Sequence, residues 1–154
     1  MNRDFAEMLN ALSIEGVEFL VVGAYAVASH GLPRATGDID LWIRPTPENA
    51  ARLWRALERF GAPRSRLSPE TFTQADIVHQ IGLPPNRIDL LTTIDGVEFE
   101  DAWRERIACV VEQVAFHVLS RRHLLTNKRA TGRPQDLADV ARLEELGSVA
   151  RPER

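Results

Sequence analysis

The sequence predicts an α+β (mixed α/β) chain: a mixed sheet flanked by helices, closed by a C-terminal helical pair. Three observations lead there. Helical and strand patterns alternate over the first 60 residues. Short strand patterns then crowd between residues 77 and 119, some joined by turns too short for a helical crossover, so the sheet cannot be all-parallel. Two helical stretches follow, separated by a Gly132-Arg133-Pro134 break.

Taken in order, Phe5, Met8, Leu9 and Leu12 stand at helical spacing over residues 4–15, with Gly16 as the stop. Val17 to Val22 is a short buried strand, and Gly23 opens a small-residue helix over Ala24 to Ser29 that Gly31-Leu32-Pro33 breaks. Asp38 to Ile43 is the next strand. Thr46 is an N-cap with Pro47 at the first helical position, and Leu53, Trp54, Leu57 and Phe60 face the core before Gly61 ends the helix. Residues 61–75 have no clear period. Ile77 to Leu83 alternates as a strand, Pro84-Pro85-Asn86 turns, and Arg87 to Thr92 is another strand, joined to it as a hairpin or by a short connection. A short helix over Val97 to Arg104 precedes strands at Ile107 to Val111 and Val114 to Leu119, with the Glu112-Gln113 turn between them. Ser120 caps a helix over Arg121 to Arg129. Pro134 starts the last one, with Leu137, Val140, Leu143 and Leu146 on one face and Gly147 closing it. The expectation is one compact domain: a core over 1–119, a C-terminal helical pair over 120–147 packed on it, and a frayed tail over 148–154.

The bulk composition excludes several classes. With 154 residues, 44% apolar and 27% charged, the chain can bury a core, and a net charge of −3 gives no general attraction to nucleic acid. The single cysteine, Cys109, lies in an apolar run and reads as a small core residue. Met1-Asn2-Arg3-Asp4 does not begin a signal peptide, and no apolar run approaches membrane-spanning length. A cytoplasmic protein with no membrane partner is the expectation. The histidines at 30, 79, 117 and 123 have no zinc-type spacing.

Chemistry concentrates in the second strand. Alternation projects Asp38 and Asp40 from one face and Ile39 and Leu41 from the other. Aspartate is disfavoured in strands, and paired carboxylates repel unless a cation lies between them. Hard oxygen donors of this kind suit Mg²⁺. Asp89, embedded in Arg87-Ile88-Asp89-Leu90-Leu91, joins them if the two strands are neighbours, and three carboxylates could then hold two divalent ions. Read singly, a strand carboxylate also pairs readily with arginine.

Together, the strand-glycine-helix-Asp-x-Asp order over Val21 to Ile43, the distant Asp89 and a C-terminal Lys128…Asp136-x-x-Asp139 element resemble the DNA polymerase β-like nucleotidyltransferase superfamily. The wording from His30 to Leu41 is most similar to the bacterial branch containing AbiEii-type toxins and related small nucleotidyltransferases. The resemblance spans roughly residues 17–146. It implies an Mg²⁺-dependent enzyme with two ions, Mn²⁺ being the alternative, that moves NMP from an NTP to a hydroxyl acceptor: a tRNA, a protein or a small molecule. Asp38, Asp40 and Asp89 would be the metal-holding and catalytic residues, and Gly23, Ala24, Arg34, Thr36 and Lys128 would bind the nucleotide. Asp136 and Asp139 are read as orienting Lys128 or Arg133. The family has a second glycine or a serine where this chain has Ala24, which removes a hydroxyl that could touch phosphate. The rival expectation is therefore a catalytically weak or inactive module of the same fold, acting as an antitoxin or partner-binding protein. A toxin–antitoxin setting and a partner protein or homo-oligomer are implied on either reading.

Overall fold

The computed structural model describes residues 1–32, 34 and 37–150; the side chains of 148–150 and the Thr36 assignment lie outside what is described. Among the described residues, six helices, α1 (Arg3–Ile14), α2 (Gly23–Ser29), α3 (Pro47–Phe60), α4 (Phe99–Arg104), α5 (Arg121–Thr131) and α6 (Pro134–Ala150), accompany six strands. The strands are β1 (Phe19–Val22), β2 (Asp38–Ile43), β3 (Val78–Ile81), β4 (Arg87–Leu91), β5 (Ile107–Val111) and β6 (Val114–Val118). They form one mixed sheet in the order β3-β4-β2-β1-β6-β5. β1 runs antiparallel to β2 and parallel to β6, while β2 and β4 run parallel.

Register divides the sheet into two unlike faces. On one, Ile39 and Leu41 of β2 stand beside Ile88 and Leu90 of β4, and Leu41 and Ile43 beside Val21 and Phe19 of β1. All of these are buried, as a core face requires. The other face of β2 carries Asp38, Asp40 and then Trp42. Trp42 is buried under Phe99 of α4 in an edge-to-face contact at 4.9 Å. The apolar cover therefore stops two residues short of Asp40.

The helix ends follow local chemistry. The Asn2 side chain accepts from Asp4 N–H at 2.7 Å at the start of α1. Thr46 caps α3, Pro47 opens it, and Gly61 closes it with φ +88°. Ser120 caps α5 by accepting from His123 N–H at 3.2 Å. Buried Asn49 of α3 accepts from Glu18 N–H and donates to the Glu18 and Arg44 carbonyls, tying the helix to the strand ends it crosses. The unreadable stretch holds a 3₁₀ turn, Pro69–Thr73, that buries Phe72.

Three expectations are corrected. Gly147 does not end α6, which continues to Ala150. The Arg121 guanidinium lies against it, where a Cβ would clash, and donates to the Leu143 carbonyl at 3.0 Å. Gly147 is thus a packing glycine. Leu137 is half exposed, because Asp136 and Asp139 take the inward positions of α6. Cys109 is only partly buried, since β5 is an edge strand.

Candidate metal centre

Parallel pairing of β2 with β4 sets Asp38 opposite Arg87 and Asp40 opposite Asp89. Because these positions share a face, one carboxylate oxygen from each of Asp38, Asp40 and Asp89 lies within 4.8 Å of the others. The convergence follows from alternation plus register, with strands separated by more than forty residues of sequence joined side by side.

Arg87 completes the cluster. Its Nη2 donates to Asp38 Oδ2 at 2.6 Å and its Nε to Asp89 Oδ1 at 3.0 Å. One guanidinium thus bridges two carboxylates, and among the described residues no cation forms a salt bridge with Asp40. Burial, then the Asp38 charge, then the Asp89 charge push the Asp40 carboxyl up to about 7, with a hydrogen bond to Asp89 acting in the same direction and Arg87 against it.

Gly23 explains how the carboxylate is accommodated. It follows β1, where Val22 pairs with Asp40, and opens α2 with φ +68°. A Cβ there would overlap Asp40 Oδ2, so a side chain is excluded by both backbone conformation and space. Ala24 occupies the first turn of the same helix.

The donor set fits a hard divalent cation: oxygen ligands only, clustered, carrying more negative charge than Arg87 can balance. A dication there would offset the Asp38 and Asp89 charges that, after burial, raise the Asp40 carboxyl.

Arg34 and Lys128 belong to a second cluster. Arg34 forks onto Asp139 through Nη1 at 2.9 Å and Nη2 at 2.5 Å. Buried Lys128 Nζ lies 3.2 Å from Asp136 and 3.1 Å from Asp139. Arg133 Nε adds a 2.7 Å bond to Asp136. The expectation that Asp136 and Asp139 orient Lys128 or Arg133 matches these contacts, and Arg34 is a further member. Arg87 was not singled out from the sequence; its position two residues before Asp89 on a strand was the available signal.

No protein-family model matches the chain, and no curated protein matches it. Among solved structures, its fold is similar to that of "a putative nucleotidyltransferase" from Thermotoga maritima. The two share 15% sequence identity, with a TM-score of 0.59 over 97% of this chain and 89% of that one. The likeness is one of fold. Among the described residues, no helix is long and apolar enough to cross a membrane.

Proposed function

We propose that the protein is an Mg²⁺-dependent nucleotidyltransferase that moves NMP from an NTP to a hydroxyl acceptor, forming a phosphoester as the α–β phosphoanhydride breaks and pyrophosphate leaves. The observation that carries this reading is the convergence of Asp38, Asp40 and Asp89 on adjacent parallel strands of a nucleotidyltransferase-like fold. Asp38 and Asp40 would hold Mg²⁺, with Mn²⁺ as the alternative. Asp89 would help to hold the metal and would take the proton of the attacking hydroxyl. When bound, the metal supplies charge neutralisation of phosphate oxygens and acidifies a coordinated hydroxyl. Gly23 keeps the space in which Asp40 can turn to its ligand. The backbone at Gly23 and Ala24 would face the triphosphate, and Arg34, Thr36 and Lys128 would be the cationic and hydroxyl groups that bind it. The acceptor belongs to the tRNA, protein or small-molecule class, in a setting that includes toxin–antitoxin pairs.

A specific observation favours a second reading. Arg34 and Lys128 are both engaged with Asp139, and Ala24 brings no hydroxyl. A module that keeps the fold and binds a protein or nucleotide without turnover would have no need to release them.

Incubation with each labelled NTP, Mg²⁺ and total cell extract separates the two. Transfer of label to a macromolecule or small molecule, lost by at least about a thousandfold in Asp89→Asn while NTP binding persists, supports the enzyme. Absence of Mg²⁺-dependent binding of any NTP in calorimetry favours the module. Full activity in Asp89→Asn would overturn the role given to Asp89.

A further inference from the structure

The two edges of the sheet are unlike. β3 is four residues long, includes His79 and Gln80, and runs into Gly82-Leu83-Pro84-Pro85. Polar side chains and a proline turn are common means of keeping an edge strand from recruiting another. β5 has none of them. Ile107-Ala108-Cys109-Val110-Val111 is wholly apolar, and Ile107 and Val110 are 46% and 69% exposed. Its inner side pairs with β6, and among the described residues no strand lies on its outer side.

The ends of β5 carry opposite charges. Arg106 precedes it, with its guanidinium 3.9 Å over the Trp103 ring and Nη1 donating to the Trp103 carbonyl. Glu112 follows it, exposed, and takes the Met1 ammonium. The segment from 106 to 112 is therefore self-complementary about Cys109. Laid antiparallel on a second copy, Ile107 faces Val111, Ala108 faces Val110, and each Arg106 approaches the other copy's Glu112. Every central pair is apolar and both terminal pairs are attractive, which is what stabilises an antiparallel ladder. A parallel alignment would set like charges side by side.

We propose that β5 is a homodimer edge: it pairs antiparallel with β5 of a second copy about a two-fold axis at Cys109, extending the sheet across both chains. Such an interface is isologous and closed, so it yields dimers and no fibres. The two Cys109 residues are then directly opposite, and the Cα separations of antiparallel pairs fall within the range a disulfide spans.

The test measures mass by sedimentation equilibrium over a concentration series, with the whole chain. The expected result is a concentration-dependent dimer, weakened at least about tenfold by Val110→Glu and unchanged by Val78→Glu on the opposite edge. Both positions are exposed, so neither variant is expected to unfold, and circular dichroism checks this. Arg106→Glu and Glu112→Arg should each weaken the dimer, and together restore it. Mild oxidation with diamide should give a disulfide-linked dimer that Cys109→Ser abolishes and Val110→Glu suppresses. A monomer at the highest soluble concentration overturns the proposal, as does a dimer that resists Val110→Glu. A dimer sensitive to Val110→Glu whose Cys109 thiols do not cross-link overturns the register.

Discussion

Two clusters of aspartates in this molecule sit in opposite electrostatic states. In the first, one guanidinium, that of Arg87, bonds to Asp38 and Asp89 of the three carboxylates. Asp40 is left short of positive charge, and its carboxyl rises to about 7. In the second, Asp136 and Asp139 are almost fully buried, yet Arg34, Lys128 and Arg133 surround them. Their carboxyls fall below the ordinary carboxylate value: Arg133 is the largest cause for Asp136 and Arg34 for Asp139, with Lys128 acting on both. Burial opposes ionisation in both places; the number of cations decides the outcome. A charge-balanced cluster ties the C-terminal helices to the segment carrying Arg34. A charge-deficient one is poised to accept a cation.

The largest expected effect comes from breaking the balanced cluster. Lys128→Met keeps the length of the side chain but leaves Asp136 and Asp139 with less buried positive charge. Removing one partner from a buried ion pair typically costs about 3–5 kcal/mol, and because Arg34 and Arg133 remain, about 3 kcal/mol is expected here. Urea unfolding measures it. A loss below about 0.5 kcal/mol, within the range of ordinary surface substitutions, would mean that Lys128 does not serve as a structural tie. If Lys128 instead acts mainly on phosphate, the deficit would appear in NTP binding with stability unchanged.

A smaller effect has opposite signs in the two clusters. Between the ordinary carboxylate value and about 7, folded Asp40 holds a proton that the unfolded chain has released. Its contribution therefore favours folding in acid, declines as pH rises through that window, and is constant above it. Asp40→Asn removes the charge for good, so without metal it should be more stable than the parent by about 1–2 kcal/mol near pH 8, an advantage that shrinks toward pH 5. Asp139 behaves the other way. Its lowered folded value gives stability above the ordinary range that is lost as pH falls through the folded value. Asp139→Asn should therefore destabilise near pH 8, by about 1–3 kcal/mol. Paired urea titrations with EDTA at both pH values test the contrast; the same sign for both variants would break it.

Which parts of these clusters are legible in the sequence follows from the range of the interactions. Asp38, Asp40 and Asp89 stand out because an acidic residue inside an apolar strand is costly, and alternation assigns their faces. That β2 lies against β4, and that Arg87 thereby reaches across to Asp38, depends on a long-range register no local pattern contains. The balanced cluster was harder to read. The apolar spacing of α6 points Leu137 inward, but Asp136 and Asp139 occupy the interior because Arg34 and Lys128 arrive from elsewhere to neutralise them. Gly147 has the local look of a helix stop; only the approach of Arg121 distinguishes it as a packing site. The alternating apolar run at Cys109 likewise looks the same in a central strand and at an edge.

The smallest and most discriminating effect concerns Arg87, which decides how far the first cluster departs from the second. Its guanidinium is partly exposed, and it bonds to two of the three carboxylates that would hold a metal. Water screens such a pair, so Arg87→Gln should cost little stability in EDTA. The same change removes a positive charge that competes with an incoming dication for Asp38 and Asp89. Mg²⁺ should therefore bind more tightly to Arg87→Gln than to the parent, by about fivefold. A bound ligand stabilises the folded state in proportion to its affinity, so the thermal midpoint of the variant should rise more steeply with Mg²⁺ and overtake its metal-free deficit. Weaker Mg²⁺ binding in Arg87→Gln would mean that the arginine holds Asp38 and Asp89 in place for the ion. The first cluster would then need its cation as a positioning group, much as Asp139 needs Arg34.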